Sequence, residues 1–343
     1  MSVQKINYSQ TYAKLTKNLL PKTKDIFEKR FGVKTGVGQT LDSIGKYLGI
    51  TRERVRQIEK AGFTVIKKNH PETLEKVFKE LDVYFAQKGG FKKEEILLED
   101  IGGKKNKPYV LFFLAMSDRF SKVCEKKDYH YFWMANQEPE TRVLNTLGTL
   151  VADLKTIGSP LLKPELFAQF TSKYNMPPEI LASYLEISKR IQENKEGKIG
   201  LVDWPEIRSR SVKDRAFLVF KKHQKPLHFR HIAELINQLE SEVSFKKAHP
   251  QTVHNELIKD QRFVLVGKGM YALGEWGYTP GTIKDVIAQV LKEKPQLTKD
   301  DIVKEVLSQR MVEKNTILIK LNNKKYFQKN ENGNYFSLEN QTA

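Results

Sequence analysis

Residues 39–68 read QTLDSIGKYLGITRERVRQIEKAGFTVIKK. Apolar side chains recur at the spacing of one helix face in two runs, Leu41, Ile44 and Leu48, then Val55 and Ile58. Between the runs, Gly49 can adopt a left-handed turn conformation and Thr51 can cap a second helix. Gly45 is small where the second helix would cross the first. Two short helices joined by a tight, glycine-containing turn predict a helix-turn-helix.

The second of these helices carries polar residues opposite its apolar face. They are Arg52, Glu53, Arg56, Gln57 and Lys60. Arginine can bind guanine with two hydrogen bonds, glutamine can pair with adenine, and glutamate can accept from cytosine. A solvated polar face is the simpler alternative. The turn glycine, the apolar spacing and the base-reading residue types together favour a DNA-reading helix.

The charge of the chain is strongly positive and unevenly distributed. The 343 residues carry a net charge of +18. Residues 1–70 contain 11 Lys and 4 Arg against 5 acidic residues, so more than half of the excess lies in the first fifth of the chain. Such a balance indicates a polyanionic partner, either a nucleic acid or an anionic membrane surface. Its position beside the predicted helix-turn-helix favours nucleic acid.

Composition and motifs argue for a non-enzymatic cytoplasmic protein. The single cysteine, Cys124, excludes an intrachain disulfide, and no signal peptide or membrane helix is expected. No catalytic motif appears, no cofactor is predicted, and the lone thiol is interpreted as inert. His228 and His231 form a His-x-x-His pair without further ligands nearby, so we interpret His228 as a helix-start residue and expect no metal site.

A repeat organises the remainder of the chain. Arg119-Phe120, Arg190-Ile191 and Arg262-Phe263 are each followed, thirteen residues after the apolar residue, by a tryptophan: Trp133, Trp204 and Trp276. A weaker fourth copy, residues 326–338, lacks the tryptophan. Alternating apolar residues around a glycine-bearing polar turn predict a β-hairpin in each copy. Chance hairpins and aromatic platforms for RNA were the alternatives; we interpret the aromatic residues as core.

Each predicted hairpin follows a stretch of helical periodicity, and three helices followed by a hairpin is the winged-helix layout. The predicted fold is mainly α with small β-hairpin wings, an N-terminal helix-turn-helix domain followed by tandem winged-helix units. The predicted domains are 1–70, 74–135, 140–206, 212–277 and 279–339. In the third winged-helix unit the helices are expected at 214–223, 227–239 and 250–260.

The segment from Leu20-Pro21 through Phe31-Gly32 to TRERVRQIE at residues 51–59 closely resembles region 4 of sigma-70 family factors of bacterial RNA polymerase. The resemblance covers roughly residues 10–70. It implies that Arg52, Glu53, Arg56 and Gln57 contact bases of a promoter −35 element in double-stranded DNA. It also implies that Thr40 and Leu41 lie at the phosphate backbone and that the module docks on the β flap of core RNA polymerase.

A second resemblance covers about 65 residues of the third winged-helix unit. Its motifs are KPLHFRHIAEL at 225–235, TVHNEL at 252–257 and RFVLVGKGMYAL at 262–273. They are similar to the HARE-HTH winged-helix family, which includes the N-terminal domain of the RNA polymerase delta subunit. The family is a DNA- or protein-interaction module, so this resemblance implies transcription machinery without fixing the contact.

These features predict a sigma-like transcription initiation factor or regulator, cytoplasmic and nucleoid-associated, that binds promoter DNA and RNA polymerase and no membrane. Nothing in the sequence resembles the sigma segment that melts the −10 element, so we expect no unaided promoter opening. The protein would then be an auxiliary specificity factor, an anti-initiation competitor or a polymerase-bound regulator. The alternative is a polymerase- or chromatin-associated scaffold whose winged helices bind proteins. Catalytic processing of nucleic acid has no supporting residues.

Overall fold

A computed structural model of the chain describes residues 6–239 and 247–338. The chain divides into two compact units, Met1–Asp203 and Trp204–Ala343, each of which is described by itself. Three parts of the predicted domains lie outside the described residues: 1–5, 240–246 and 339. In the part of the chain that the structure describes, no helix is long and apolar enough to cross a membrane.

The N-terminal part of the first unit is helical. Its helices are α1 (Tyr8–Thr16), α2 (Pro21–Phe31), α3 (Leu41–Leu48) and α4 (Arg52–Asn69). Helix α1 ends at Thr16, and Leu20, which precedes Pro21, is held in an extended conformation (φ −58°, ψ 141°). Pro21 occupies the first turn of α2, and Gly32 ends α2 in a left-handed conformation.

Helices α5 (Pro71–Gln87) and α6 (Glu94–Met116) complete the core of this region. Phe112 of α6 is fully buried. Its ring meets those of Tyr12, Phe27, Phe31 and Phe63 at centroid distances of 4.8, 5.2, 5.3 and 5.5 Å. One hydrophobic core therefore joins α1, α2 and α4 to α5 and α6. The predicted boundary near residue 70 is a break between helices, and the core continues across it.

Two small antiparallel sheets follow in the first unit. Strands β1 (Phe91–Lys93), β2 (Phe120–Val123) and β3 (Phe132–Ala135) are ordered β1-β3-β2. Helix α7 (Glu140–Ile157), β4 (Leu161–Leu162), α8 (Lys163–Tyr174), α9 (Pro178–Ile187), β5 (Ile191–Glu193) and β6 (Lys198–Leu201) come next, with the sheet order β4-β6-β5. The predicted hairpins β2-β3 and β5-β6 are confirmed. The added strands β1 and β4 were not predicted.

The second unit shows the same succession of helices and hairpin twice. First come α10 (Val212–His223), β7 (Leu227–His228), α11 (Phe229–Leu239), α12 (Pro250–Lys259), β8 (Phe263–Gly267) and β9 (Met270–Leu273), with the order β7-β9-β8. Then come α13 (Ile283–Glu293), α14 (Lys299–Gln309), α15 (Lys314–Leu321), β10 (Phe327–Lys329) and β11 (Tyr335–Ser337). Both predicted hairpins are confirmed. His228 is the last residue of β7 and directly precedes α11, which begins at Phe229, two positions after the predicted residue 227.

The three tryptophans, which are equally spaced in the sequence repeat, do not occupy equivalent positions in their hairpins. In the three later hairpins the paired ends are ten positions apart, at residues 191 and 201, 263 and 273, and 327 and 337. In the first hairpin Phe120 pairs with Ala135. Trp133 consequently lies inside strand β3, whereas Trp204 and Trp276 follow their strands. The equal spacing of the first copy is a coincidence, although its hairpin is present.

Candidate nucleic-acid interface

Local backbone chemistry fixes the turn between α3 and α4. Gly49 ends α3 with φ of 64°, and Thr51 caps α4 by accepting a hydrogen bond from the Arg54 backbone N–H at 3.1 Å. A Cβ on Gly45 would lie 2.7 Å from the carbonyl oxygen of Ile50. All three sequence predictions for this turn are therefore confirmed. Any side chain at residue 45 would press on the turn itself.

A small apolar cluster sets which side of α4 faces outward. Ile26, Ile44 and Val55 are buried at its centre, and Leu41, Leu48, Ile50 and Ile58 pack around them. Leu41 is half-buried in this cluster. The Leu41 side chain is therefore packed against the cluster. The predicted contact with the phosphate backbone, if made at this residue, uses its main chain. Thr40 is exposed, and its hydroxyl oxygen accepts from the Ser43 N–H at 3.2 Å, which leaves its O–H free to donate to a phosphate oxygen.

The predicted base-reading residues share one exposed face of α4. All five of them are solvent-exposed: Arg52, Glu53, Arg56, Gln57 and Lys60. Because α4 advances about 100° per residue, these positions span one side of the helix, opposite Val55 and Ile58. The structure thus brings together the residues singled out from the sequence. Their contact with DNA remains a prediction.

Glu53 and Arg56 form a paired unit on this face. The Arg56 guanidinium donates from Nε to Glu53 Oε2 at 2.8 Å and from Nη2 to Oε1 at 2.7 Å. These hydrogen bonds lower the pKa of the Glu53 carboxyl and raise that of Arg56, so both stay charged at neutral pH. Within residues 6–239 and 247–338, neither Arg52 nor Lys60 has an ion-paired side chain. The face therefore presents two unpaired cations beside one held pair.

Arg54 and Arg30 are residues that sequence reasoning missed. Arg54 donates from Nη1 to Gln57 Oε1 at 3.1 Å, which orients the Gln57 amide. Arg30 of α2 donates to the Gln39 carbonyl oxygen at 2.9 Å and approaches Glu59 Oε1 at 3.7 Å. Burial raises the pKa of the Glu59 carboxyl. No local pattern signals Arg30, because its partners follow 9 and 29 positions later in the chain.

Other candidate chemistry is sparse in the described residues. Among them, no group of three or more His, Cys, Asp and Glu could hold a metal ion. Cys124 is exposed just after β2. His228 accepts a hydrogen bond at Nδ1 from the Arg230 N–H at 3.3 Å, which helps to begin α11.

Comparison with known proteins shows which family of domains the helix-turn-helix resembles. Residues 17–68 match the sequence profile of the family described as Sigma-70, region 4. A sigma-70 region 4 domain lies at the N-terminus of this chain. The match includes α2, α3 and α4, and with them the whole exposed face described above.

Three sigma factors are similar to the region 4 domain. The chain is 40% identical over 67 residues to the RNA polymerase principal sigma factor HrdD of Streptomyces coelicolor and 36% identical over 69 residues to the RNA polymerase sigma factor SigA of Clostridium acetobutylicum. It is 40% identical over 58 residues to the RNA polymerase sigma factor sigB of Arabidopsis thaliana. These matches cover 20, 20 and 17% of the chain. They span 20, 18 and 10% of the relatives' lengths.

Proposed function

We propose that this chain is a sigma-like transcription factor that binds double-stranded promoter DNA carrying a −35-type element and associates with RNA polymerase. The observation that carries the proposal is the exposed face of α4 in the region 4 domain. There Arg52, Glu53, Arg56 and Gln57 stand together, held by capped helix ends and a tight turn. Their side chains match the donors and acceptors that base edges present in the major groove.

The Glu53–Arg56 pair fixes hydrogen-bond donors and acceptors on this face in one arrangement. Its bidentate geometry holds the guanidinium in place before DNA arrives, which lowers the entropy lost on binding. Arg56 retains both Nη1 hydrogens and the second Nη2 hydrogen for the two guanine acceptors, while Glu53 offers carboxylate oxygens to a cytosine amino group. Arg52 and Lys60 add cations for neighbouring phosphates.

Replacing Arg56 with alanine should cost about 1–3 kcal/mol of binding to the preferred site. The loss should concentrate at one base position, because a bidentate contact discriminates one base pair. The measurement is the dissociation constant for the preferred duplex and for single-substitution variants of it, at one fixed salt concentration. The first step is selection of that duplex from a random pool with the full chain.

The matched control is Lys60→Ala, on the same face of the same helix. A lysine that touches phosphate should weaken binding to all sequences equally and make the salt dependence shallower by about 0.9 in log–log slope. If Arg56→Ala behaves like Lys60→Ala, with equal loss on every duplex, Arg56 contacts phosphate and the base-reading assignment is wrong.

For the polymerase partner, we propose that the region 4 domain docks on the β flap. Leu20, Val37 and Tyr47 are 74, 72 and 69% exposed, so their apolar side chains are accessible to a partner. Immobilised full chain should retain purified core RNA polymerase, and Leu20→Ser with Tyr47→Ser should reduce retention at least about tenfold, a loss of ~1.4 kcal/mol.

The control for this experiment is Val83→Ser with Leu162→Ser. These residues are also exposed apolar residues of the first unit but lie outside the region 4 domain. Equal losses in both double variants would point to general surface effects and not to a docking site. Failure of the unaltered chain to retain polymerase would contradict the polymerase association.

We further propose that the chain acts without promoter melting and without enzymatic activity. It would serve as an auxiliary specificity factor, a competitor of initiation or a polymerase-bound regulator. A cytoplasmic, nucleoid-associated location follows from this proposal.

A second candidate function, a protein-binding scaffold, concerns residues 74–339. Their helices, three three-stranded sheets and one two-stranded sheet support tandem winged-helix units with the boundaries given above. The HARE-HTH assignment of residues 212–277 is part of this proposal. Residues 71–203 contain 20 Lys and Arg against 20 Asp and Glu. A surface with no net charge releases few counterions on DNA, so it favours protein partners in this part of the chain.

Contacts of two hairpins favour the scaffold as well. Beyond β2, His130 N donates to the Ile187 carbonyl oxygen and Lys189 N donates to that of Asp128, both at 2.9 Å. In the second unit, Met311 N donates to the Val266 carbonyl oxygen of β8 at 2.6 Å. Each hairpin is thus joined to the succeeding segment, and those backbone groups are not available to a DNA groove.

A further inference from the structure

The C-terminal end of the described chain carries a run of lysines without acidic residues. Residues 314–329 read KNTILIKLNNKKYFQK and contain five lysines and no Asp or Glu. In the region 4 domain, residues 52–67 contain five basic residues and two glutamates. The C-terminal stretch is therefore the more cationic of the two. It lies outside residues 17–68, which match region 4.

The fold holds this stretch in a defined conformation. Ile317 and Leu321 of α15 are buried in the core of the last helices, and Phe327 of β10 is buried in the same cluster. Between them, the Asn323 side chain accepts from the Lys325 N–H at 3.1 Å, and the Asn323 carbonyl oxygen accepts from Tyr326 N at 3.0 Å. The lysines therefore project from a helix end, a hydrogen-bonded turn and a strand.

We refer to four of these lysines together as the lysine surface: Lys320, Lys324, Lys325 and Lys329. All four are solvent-exposed. Among the described residues none of the four is ion-paired, whereas Lys294 pairs with Glu305 at 2.6 Å and Lys314 with Asp300 at 3.5 Å. Exposed amides lie between them at Asn322, Asn323 and Gln328. Unpaired ammonium groups beside amide donors suit a ligand with repeated anionic oxygens.

Tyr326, beside Lys325, and Tyr335, opposite Lys329, both pack against the core of the last helices. Tyr326 is half-buried, with Lys284 Nζ 4.3 Å and Lys325 Nζ 5.5 Å from its ring centroid. Proteins that bind single strands stack bases on free aromatic faces. The lysine surface offers none at this position, so phosphate contacts dominate its chemistry. Duplex DNA supplies closely spaced phosphates with the bases already stacked.

We propose that the lysine surface binds the phosphate backbone of double-stranded DNA independently of sequence. This is a second DNA contact, outside the region 4 domain and additional to the proposed promoter reading. The lysine surface adds affinity for DNA of any sequence. This affinity falls as the salt concentration rises, because binding releases counterions from the DNA. The scaffold role then belongs to residues 71–203, which carry no net charge.

The test uses the full chain and a fluorescent duplex that lacks any preferred promoter element. The variant is Lys320→Gln with Lys324→Gln and Lys325→Gln. The matched control is Lys292→Gln with Lys299→Gln and Lys304→Gln, which removes three exposed lysines of the same helical region. The slope of log affinity against log salt should become shallower by about 2.7 in the variant, about 0.9 for each phosphate contact, and by less than one such step in the control.

Folding and identity of the ligand are checked in the same series. The Lys→Arg triple variant at 320, 324 and 325 should restore the slope, and all variants should unfold at the same temperature. Preference for a promoter element over a scrambled duplex should be unchanged in the Gln variant, so failure of promoter reading and failure of this proposal give different results. Equal slopes in variant and control, or stronger binding to single-stranded RNA than to duplex DNA, would overturn it.

Discussion

Replacing Phe112 with alanine will destabilise the region 4 domain by about 3–5 kcal/mol, although residue 112 lies 44 positions beyond the end of the region 4 match. The Phe112 side chain is fully buried among four other rings, which belong to α1, α2 and α4. Removing the ring loses the free energy gained when it is transferred from water into the core. It also leaves a cavity, which the surrounding rings cannot close because they are fixed on three different helices. The measurement is the free energy of unfolding from denaturant titration of the full chain.

DNA binding should fall in proportion to the folded fraction, with base preference unchanged among the molecules that remain folded. The control is Tyr131→Ala, which removes an aromatic side chain that is 43% exposed and should cost less than about 1 kcal/mol. A Phe112→Ala chain as stable as the control would show that the stability of the region 4 domain does not depend on the Phe112 ring.

This dependence bears on how the region 4 domain can be isolated. Ile66, Leu74 and Phe112 belong to the same core, so a chain ended at residue 70 would expose the apolar sides of α1, α2 and α4 to water. Fragments meant to test DNA binding should therefore end no earlier than Asp203, where the first compact unit ends.

Features set by neighbouring residues were predictable from sequence. The turn at Gly49 and the cap at Thr51 depend on hydrogen bonds within four positions, and both were predicted correctly. The outward face of α4 follows from helix periodicity alone, which is why its five candidate residues were found together. The hairpins were predictable for the same reason, from alternation around a short turn.

Features set by distant partners were not predictable. The shared core joins Tyr12 to Phe112 across 100 positions, and no single-sequence pattern reports such a pairing. Strands β1, β4 and β7 are two or three residues long, too short to show alternation, and they exist because β3, β6 and β9 offer a free edge. The repeat spacing wrongly equated Trp133 with the other two tryptophans. The first hairpin has a longer turn, so Trp133 lies inside its strand.

Replacing Gly45 with valine will disturb the packing of α3 against the turn that begins α4. It will lower the free energy of unfolding by up to about 3 kcal/mol, the upper end of the range for overpacking substitutions. A Cβ at residue 45 would lie 2.7 Å from the Ile50 carbonyl oxygen and 3.3 Å from Arg52 N, which are backbone atoms of the turn and of the first turn of α4. Backbone cannot rotate away as a flexible side chain can. The chain should relieve the overlap by shifting the start of α4.

Such a shift moves Arg52 and Glu53 first, since they begin the helix, so sequence preference should be lost beyond what instability explains. The measurement is the ratio of affinities for the preferred and a scrambled duplex, taken where the variant is fully folded. Affinity for the scrambled duplex should persist, because phosphate contacts by lysines need less accurate placement than base contacts.

Gly49→Asn is the matched control, since it changes the other glycine of the same turn for a different physical reason. Gly49 is left-handed, with φ of 64°, but nothing lies within 4 Å of a Cβ placed there. Asparagine tolerates that conformation, so the variant should lose about 1 kcal/mol or less and keep its base preference. Equal loss of preference in both variants would mean that the turn acts through backbone conformation. Loss in Gly45→Val alone would show that close packing of α3 against the turn holds the reading face in register.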